Sequence, residues 1–290
     1  MPINAQLVDN PKSERVRHLA DLTNRKTRYR AGRFLIEGPQ SVREAVVWRP
    51  DVVRDLYVEV AAEGGERRAA TDTLQRIVDQ ALESDVYVHW ASGEVIRRIS
   101  ADAQGILAVG DIDVIRSTAT VPPAVETGTP GTRLAAFWQV RDPGNAGTVI
   151  RAADAAGCDA VVFVDDCVDV FNPKVVRSTA GSLFHVPVVV MRTDEFLAWA
   201  GGHGIKVIAA DVYGTEERKS RPLPDVLAER SSTSGASAVL FGNEARGLPP
   251  DVLERADDIV SIPLYGKAES LNLATSAAVM LMSLAMASHA

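Results

Sequence analysis

Three short polar stretches hold the side chains of this 290-residue chain that could do chemistry. Residues 143–151, PGNAGTVIR, carry Asn145 and Arg151; residues 241–249, FGNEARGLP, carry Glu244 beside Gly242; residues 262–274, IPLYGKAESLNLA, carry Ser270 and Asn272. Each follows an apolar run and leads into a helical one. Each is therefore expected as a strand-to-helix loop at the carboxyl edge of a sheet, where α/β proteins place ligands. Helix N-termini at that edge offer free N–H groups and partial positive charge to an anionic or polar group. Taken alone, Ser270 and Asn272 fit helix capping equally well. None of the loops fits GxGxxG or GxxxxGK[ST], which disfavours a dinucleotide fold or a P-loop NTPase. Ser270 has no histidine nearby and no GxSxG elbow occurs, so a hydrolase finds no support.

The elements that must position these loops alternate in type. Residues 1 to about 11 read as a disordered lead ended by Pro11, and a helix is expected from Ser13 with Val16, Leu19 and Ala20 inward. Strands are expected at 34–36, 53–60, 86–90 and 105–112, with helices at 41–48, 71–82 and 93–99 between them. That is an α/β layered domain over residues 1–116. A Pro- and Thr-rich run over 117–132 suits a semi-extended linker. Residues 133–290 give six apolar strands with intervening helices, hence an open, mostly parallel sheet. The closing helix has no formal charge from Ser270 to Ala290; its Asn, Thr and Ser content and the polar loop before it argue for a core or subunit interface rather than a membrane span.

Composition narrows the classes further. Hydrophobic residues at 46% and charged residues at 24% exclude disordered and fibrous proteins. No signal peptide is indicated, and a cytoplasmic location is expected. The histidines are scattered and Cys158 and Cys167 lack companion ligands at zinc spacing, so neither a metal nor a disulfide framework is expected. A net charge of −7 argues against nucleic acid globally, yet eight basic residues face two acidic ones between Lys12 and Arg33. Such a block is a candidate phosphate-contacting patch. Arg25, Lys26, Arg28 and Arg30 are its expected RNA contacts, with Phe34 beside them.

In order and separation, the three loops resemble motifs one, two and three of the SpoU (TrmH-like) family of RNA ribose 2′-O-methyltransferases, in the SPOUT superfamily. The strings LFGNEARGLP and IPLYGKAESLNLATSAAV carry most of that resemblance, which covers the whole second domain. FLIEGPQSVREA resembles the substrate-binding domain, similar to ribosomal protein L30e, of many members. The nearest flavour is the ribosomal RNA branch that includes thiostrepton-resistance enzymes. The resemblance implies a deep trefoil knot, S-adenosylmethionine bound within it, and a homodimer with the site at the subunit interface. It implies that Asn145, Arg151, Glu244, Ser270 and Asn272 form the catalytic set, and that Leu240, Gly242, Ile262, Leu264 and Leu271 hold the cofactor. The implied activity is methyl transfer to a ribose 2′-hydroxyl of 23S ribosomal RNA. Transfer RNA as substrate, or a noncatalytic RNA-binding scaffold, are the alternatives.

Overall fold

The stretch Ile3–Val8, expected as a disordered lead, is a strand (β1) paired in parallel with Tyr87–Ala91 (β4). Ile3 and Leu7 alternate with Asn4 and Gln6, the period of a half-buried edge strand, and the pairing that holds β1 is supplied eighty residues away. The computed structural model describes residues 3–61, 67–119, 129, 131–229 and 235–289. It divides into two units, residues 1–118 with 169–185, and residues 119–168 with 186–290.

In the first unit the sheet runs β1-β4-β3-β5-β2, with β2 at Arg33–Glu37, β3 at Val53–Glu59 and β5 at Ile106–Asp111; β5 is antiparallel to both its neighbours. Helices α1 (Glu14–Ala20) and α2 (Arg25–Ala31) start on the side-chain caps Ser13 and Asn24, and α2 ends where Gly32 takes a φ of +63°. Helices α3 (Pro39–Trp48), α4 (Asp72–Glu83), α5 (Gly93–Ile99) and α6 (Ile112–Thr118) follow.

Two expected RNA contacts belong instead to this unit's interior. Arg28 is 1% exposed and donates to the carbonyls of Leu22 (3.0 Å) and Thr23 (2.7 Å) and to Asp169 Oδ2 (2.5 Å). A buried guanidinium so occupied ties the end of one turn to a distant carboxylate and offers nothing to solvent. Phe34 is fully buried, its ring 4.9 Å from that of Phe171 and covering Gly110, its cross-strand partner, where any Cβ would collide with the ring.

Segment 169–185, expected as part of the second domain, packs with the first unit. Its helix α8 (Pro173–Ser178) lies on β2, and Arg177 bridges Glu37 at 2.6 Å and Asp102 at 3.0 Å.

Asp111 caps α6, accepting from the N–H groups of Asp113 and Val114, while Arg33 and Arg54 each reach it at 2.6 Å. Burial pushes this carboxyl up, but the Arg54 hydrogen bond, the Val114 N–H and the Arg33 charge together hold it below the ordinary value. With the folded pKa depressed, the stabilisation is complete above the unfolded value of about 3.9 and is lost as pH falls through the folded one. Asp111→Ala is expected to cost roughly 1–3 kcal/mol at neutral pH, through the lost cap and charge-assisted hydrogen bonds. Urea titration checks this: the wild type should converge on the variant's midpoint in strong acid.

The second unit is a seven-stranded sheet in the order β10-β12-β9-β11-β6-β7-β8, every pairing parallel. Its strands are β6 Arg133–Trp138, β7 Ala160–Val164, β8 Val188–Met191, β9 Lys206–Ala210, β10 Arg221–Pro222, β11 Ser237–Phe241 and β12 Asp258–Ser261. The sequence gives six apolar runs because β10 is two residues long and lies in a turn-rich stretch, just before helix α10 (Leu223–Ala228). The central strands β6, β7 and β11 are buried almost throughout, the expected state of a parallel sheet covered on both faces. Helices α7 (Pro143–Ala155), α9 (Thr193–Gly202), α11 (Pro250–Arg255) and α12 (Leu273–Ser288) complete the unit, with α12 packed on α7. Arg133, 5% exposed, donates to the Leu284 carbonyl and to Ser288, closing the far end of α12. The expected linker over 117–132 falls mostly outside the described residues, and α6 reaches Thr118.

Candidate active site

Because β12, β9, β11 and β6 are adjacent and parallel, their carboxyl ends share one edge, and a cavity of about 610 Å³ opens there. Four connections reach it: residues 211–213 after β9, 242–247 after β11, 262–273 after β12, and Asn145 from the turn after β6.

The first of the three loops is mostly helix. Helix α7 begins at Pro143, whose fixed φ suits a first helical position, and Asp142 Oδ1 accepts the Asn145 N–H at 2.8 Å. Asn145 is thus held in the first turn of a helix, more firmly than a loop would hold it.

Three side chains, one from each stretch, join in a chain of hydrogen bonds. Asn272 Nδ2 donates to Asn145 Oδ1 (3.1 Å), and Asn145 Nδ2 donates to Glu244 Oε1 (3.1 Å). The direction is fixed at both ends. Asn272 Oδ1 already accepts the N–H groups of Ala274 and Thr275, leaving its amide nitrogen to reach out; Glu244 as a carboxylate can only accept. Asn272 thus works at both ends: its oxygen caps α12 and its nitrogen holds Asn145.

The second loop is closed on itself. Asn243 exchanges backbone hydrogen bonds with Gly247 and sends its side-chain amide to the Gln139 carbonyl at 2.7 Å. Gly242 sits against this closure, where an added Cβ would lie 2.4 Å from the Gly247 carbonyl carbon and 2.5 Å from the Leu248 nitrogen. Only glycine fits there without moving backbone.

Of the other expected residues, Ile262, Leu264, Ser270 and Leu271 line the cavity. Leu240 does not: it is wholly buried in the core with Leu134 and Ala136, and the next residue along the strand, Phe241, faces the cavity instead. Arg151 also lies away from it. Six residues beyond Asn145, it points to a different side of α7, is exposed, and makes no hydrogen bond or ion pair among the described residues.

Sequence reasoning missed Asp211, Tyr213, Arg246, Ser276 and Met280, which also line the cavity. Asp211 and Tyr213 were findable, since they follow β9 at the same sheet edge. The Asp211 carboxylate accepts the N–H groups of Tyr213 and Gly214, shaping that turn.

The charged lining is three carboxylates (Asp211, Glu244, Glu269) and one guanidinium (Arg246). Such a set attracts a cationic ligand, with one basic group for an acidic end, while Phe241, Ile262, Leu264, Leu271 and Met280 supply apolar wall. S-adenosylmethionine, with its sulfonium, ammonium, carboxylate and adenosine, matches both parts. Burial raises the Cys158 and Cys167 thiols to about 12 and about 11, so neither is a ready nucleophile. No group of His, Cys, Asp and Glu among the described residues could hold a metal ion, and no described helix is long and apolar enough to cross a membrane.

Comparison with known proteins bears on this geometry. Residues 133–282 match the SpoU rRNA Methylase family, and residues 13–108 match the MRM3-like substrate binding domain. A 23S rRNA (guanosine(2553)-2'-O)-methyltransferase from Bacillus subtilis is 32% identical over 94% of this chain and 96% of its own length. The crystal structure of an AdoMet-bound rRNA methyltransferase from Sinorhizobium meliloti superposes with a TM-score of 0.76 at 26% identity, covering 98% of both chains. The SpoU methyltransferase AviRb from Streptomyces viridochromogenes, in complex with AdoMet, superposes with a TM-score of 0.72 at 25% identity, over 94% of this chain and 98% of that one.

Proposed function

The chain belongs to the SpoU rRNA methylase family, and on that premise we propose that it transfers a methyl group from S-adenosylmethionine to a ribose 2′-hydroxyl of 23S ribosomal RNA. The observation that carries this reading is the chain Asn272–Asn145–Glu244 at the mouth of an acidic, partly apolar cavity. Family membership and the relatives' substrates favour ribosomal RNA over transfer RNA, and a cytoplasmic location would suit that work.

Gly242, Ile262, Leu264 and Leu271 would hold the cofactor, with Arg246 available to its carboxylate. When bound, it supplies a methyl group on a sulfonium. The protein's own task is to hold the ribose hydroxyl in line and to stabilise charge as its proton leaves. Asn145, locked by Asn272 and Glu244, presents a fixed polar group at the rim, and the Ser270 hydroxyl has no hydrogen-bond partner among the described residues to compete with substrate. Arg151 would serve by holding phosphate and stabilising the developing alkoxide, the role that the donors of a guanidinium suit.

An acidic cavity repels a polyanion, so the cations that receive RNA must come from beyond it. Arg246 is one. Arg151, exposed and turned from its own chain's cavity, is suited to complete the cavity of a second copy, which supports a homodimer. The closing helix fits that role too, since Val279 and Met286 remain exposed on an uncharged element. The trefoil knot is part of the same proposal.

The deciding experiment is transfer of labelled methyl to purified 23S, 16S and transfer RNA, with mapping of the modified ribose. Label at one ribose of 23S RNA is expected. Label only in transfer RNA would move the substrate, and no label with no cofactor binding by calorimetry would leave the scaffold reading. Gly242→Ala tests the cofactor loop: forcing backbone apart there costs roughly 1–3 kcal/mol, so S-adenosylhomocysteine binding should weaken about tenfold or more by calorimetry.

A further inference from the structure

Tyr29 is an aromatic ring set between two cations. Arg25, one helical turn before it on α2, places its guanidinium carbon 5.7 Å from the ring centroid, and Arg116 of α6 places its own at 5.1 Å. Both arginines are exposed and neither makes a hydrogen bond or ion pair among the described residues. Lys26 and Arg30 are exposed on the same short helix.

The ring itself is fixed. Its hydroxyl donates to Asp169 Oδ1 at 2.9 Å, and its edge meets Phe171 at 6.5 Å between centroids. Asp169 is spent on this scaffold, for its other oxygen takes the buried Arg28 and its first also accepts the Phe171 N–H. Burial, then the Asp169 charge and hydrogen bond, push the Tyr29 hydroxyl above its ordinary pKa, so it remains a donor. A guanidinium over an aromatic face is oriented without using its N–H donors, which point outward in its plane. Two such groups from different helices suit the oxygens of a nucleic-acid backbone.

We propose that Arg25 and Arg116, positioned by Tyr29 and its anchor Asp169, form a phosphate-binding cluster of the first unit that holds the backbone of the RNA substrate. The cluster rests on the RNA-modifying reading above and adds residues outside the matched substrate-binding stretch, 13–108. Arg28 belongs to its foundation, not to its surface.

Filter binding of protein-free 23S ribosomal RNA to the full-length protein, across a series of salt concentrations, tests it. Arg25→Gln and Arg116→Gln should each weaken binding several-fold and lower the slope of log affinity against log salt by about 0.7, the share of one phosphate contact on single-stranded RNA. Tyr29→Leu should reproduce much of both losses, yet add little in the doubly substituted Arg25→Gln/Arg116→Gln background. Tyr29→Phe, which keeps the ring, should retain most of the affinity. Circular dichroism and S-adenosylhomocysteine binding should be unchanged in the arginine variants. Wild-type affinity and slope in both arginine variants would overturn the cluster while leaving the methyltransferase reading intact; failure of the wild type to bind this RNA would overturn both.

Discussion

Replacing Arg151 by alanine is expected to lower methyl transfer about 10²- to 10³-fold, the loss that follows removal of one preorganised donor to developing charge. Cofactor binding should be unchanged by calorimetry, because Arg151 does not line the cavity of its own chain. Its position makes a sharper outcome available. If one copy's Arg151 serves the other copy's cavity, an Arg151→Ala chain paired with a Gly242→Val chain contains one complete site: an open cavity from the first and an intact arginine from the second. Co-expressed with two affinity tags and purified as the mixed dimer, the pair should regain activity that neither homodimer has. A mixed dimer as inactive as its parents would place Arg151 in its own chain's reaction, and wild-type turnover by Arg151→Ala would remove it from the mechanism.

The loops themselves were legible because they depend on local facts. A strand buried on both faces reads as an apolar run, a helix start reads as Pro, Asp or Asn, and in a parallel sheet every strand delivers its loop to the same edge. Capping and a contact to Asn145 are not alternatives for Asn272, because an amide has two ends and here uses both. The side chain of Leu240 faces the core while that of its neighbour Phe241 reaches the cavity, since successive residues of a strand take opposite faces.

Arg28 shows a different limit. On a 3.6-residue helix Lys26 and Arg30 fall on nearly the same side, and Arg28 falls opposite them. Once residues 25–31 form a helix, these bases cannot all share one face. What helical geometry could not supply was the partner, Asp169, 141 positions along the chain. Separation along the chain likewise hid Arg116 and Phe171 from the reading of the basic block. Strand β1 was missed for a related reason, being short and half polar until β4 completes it.

A boundary near residue 117 predicts that residues 117–290 fold alone; the packing of 169–185 predicts that they do not. Phe171, Val175, Val176, Leu183 and Phe184 are at most 6% exposed in the intact chain. Phe171 lies against Phe34 and Tyr29, α8 against β2, and the turn at Ser182–Phe184 against α3, all of which the truncation removes. Arg177 would lose Glu37 and Asp102, and His185 would lose Glu44. Burial of a side chain of this size contributes about 1.5–3 kcal/mol. Five of them together rival the roughly 5–15 kcal/mol that stabilises a whole domain. Deleting residues 1–116 is therefore expected to give a protein that aggregates or runs far above the mass of any discrete small oligomer in size-exclusion chromatography. Replacing 169–185 by a short polar linker in the same truncated chain should restore a discrete species, since the seven strands and the cavity draw no residue from that segment. A well-behaved, cooperatively melting product from the simple truncation would show instead that 169–185 is held by its own unit's contacts and that the first unit is a detachable module.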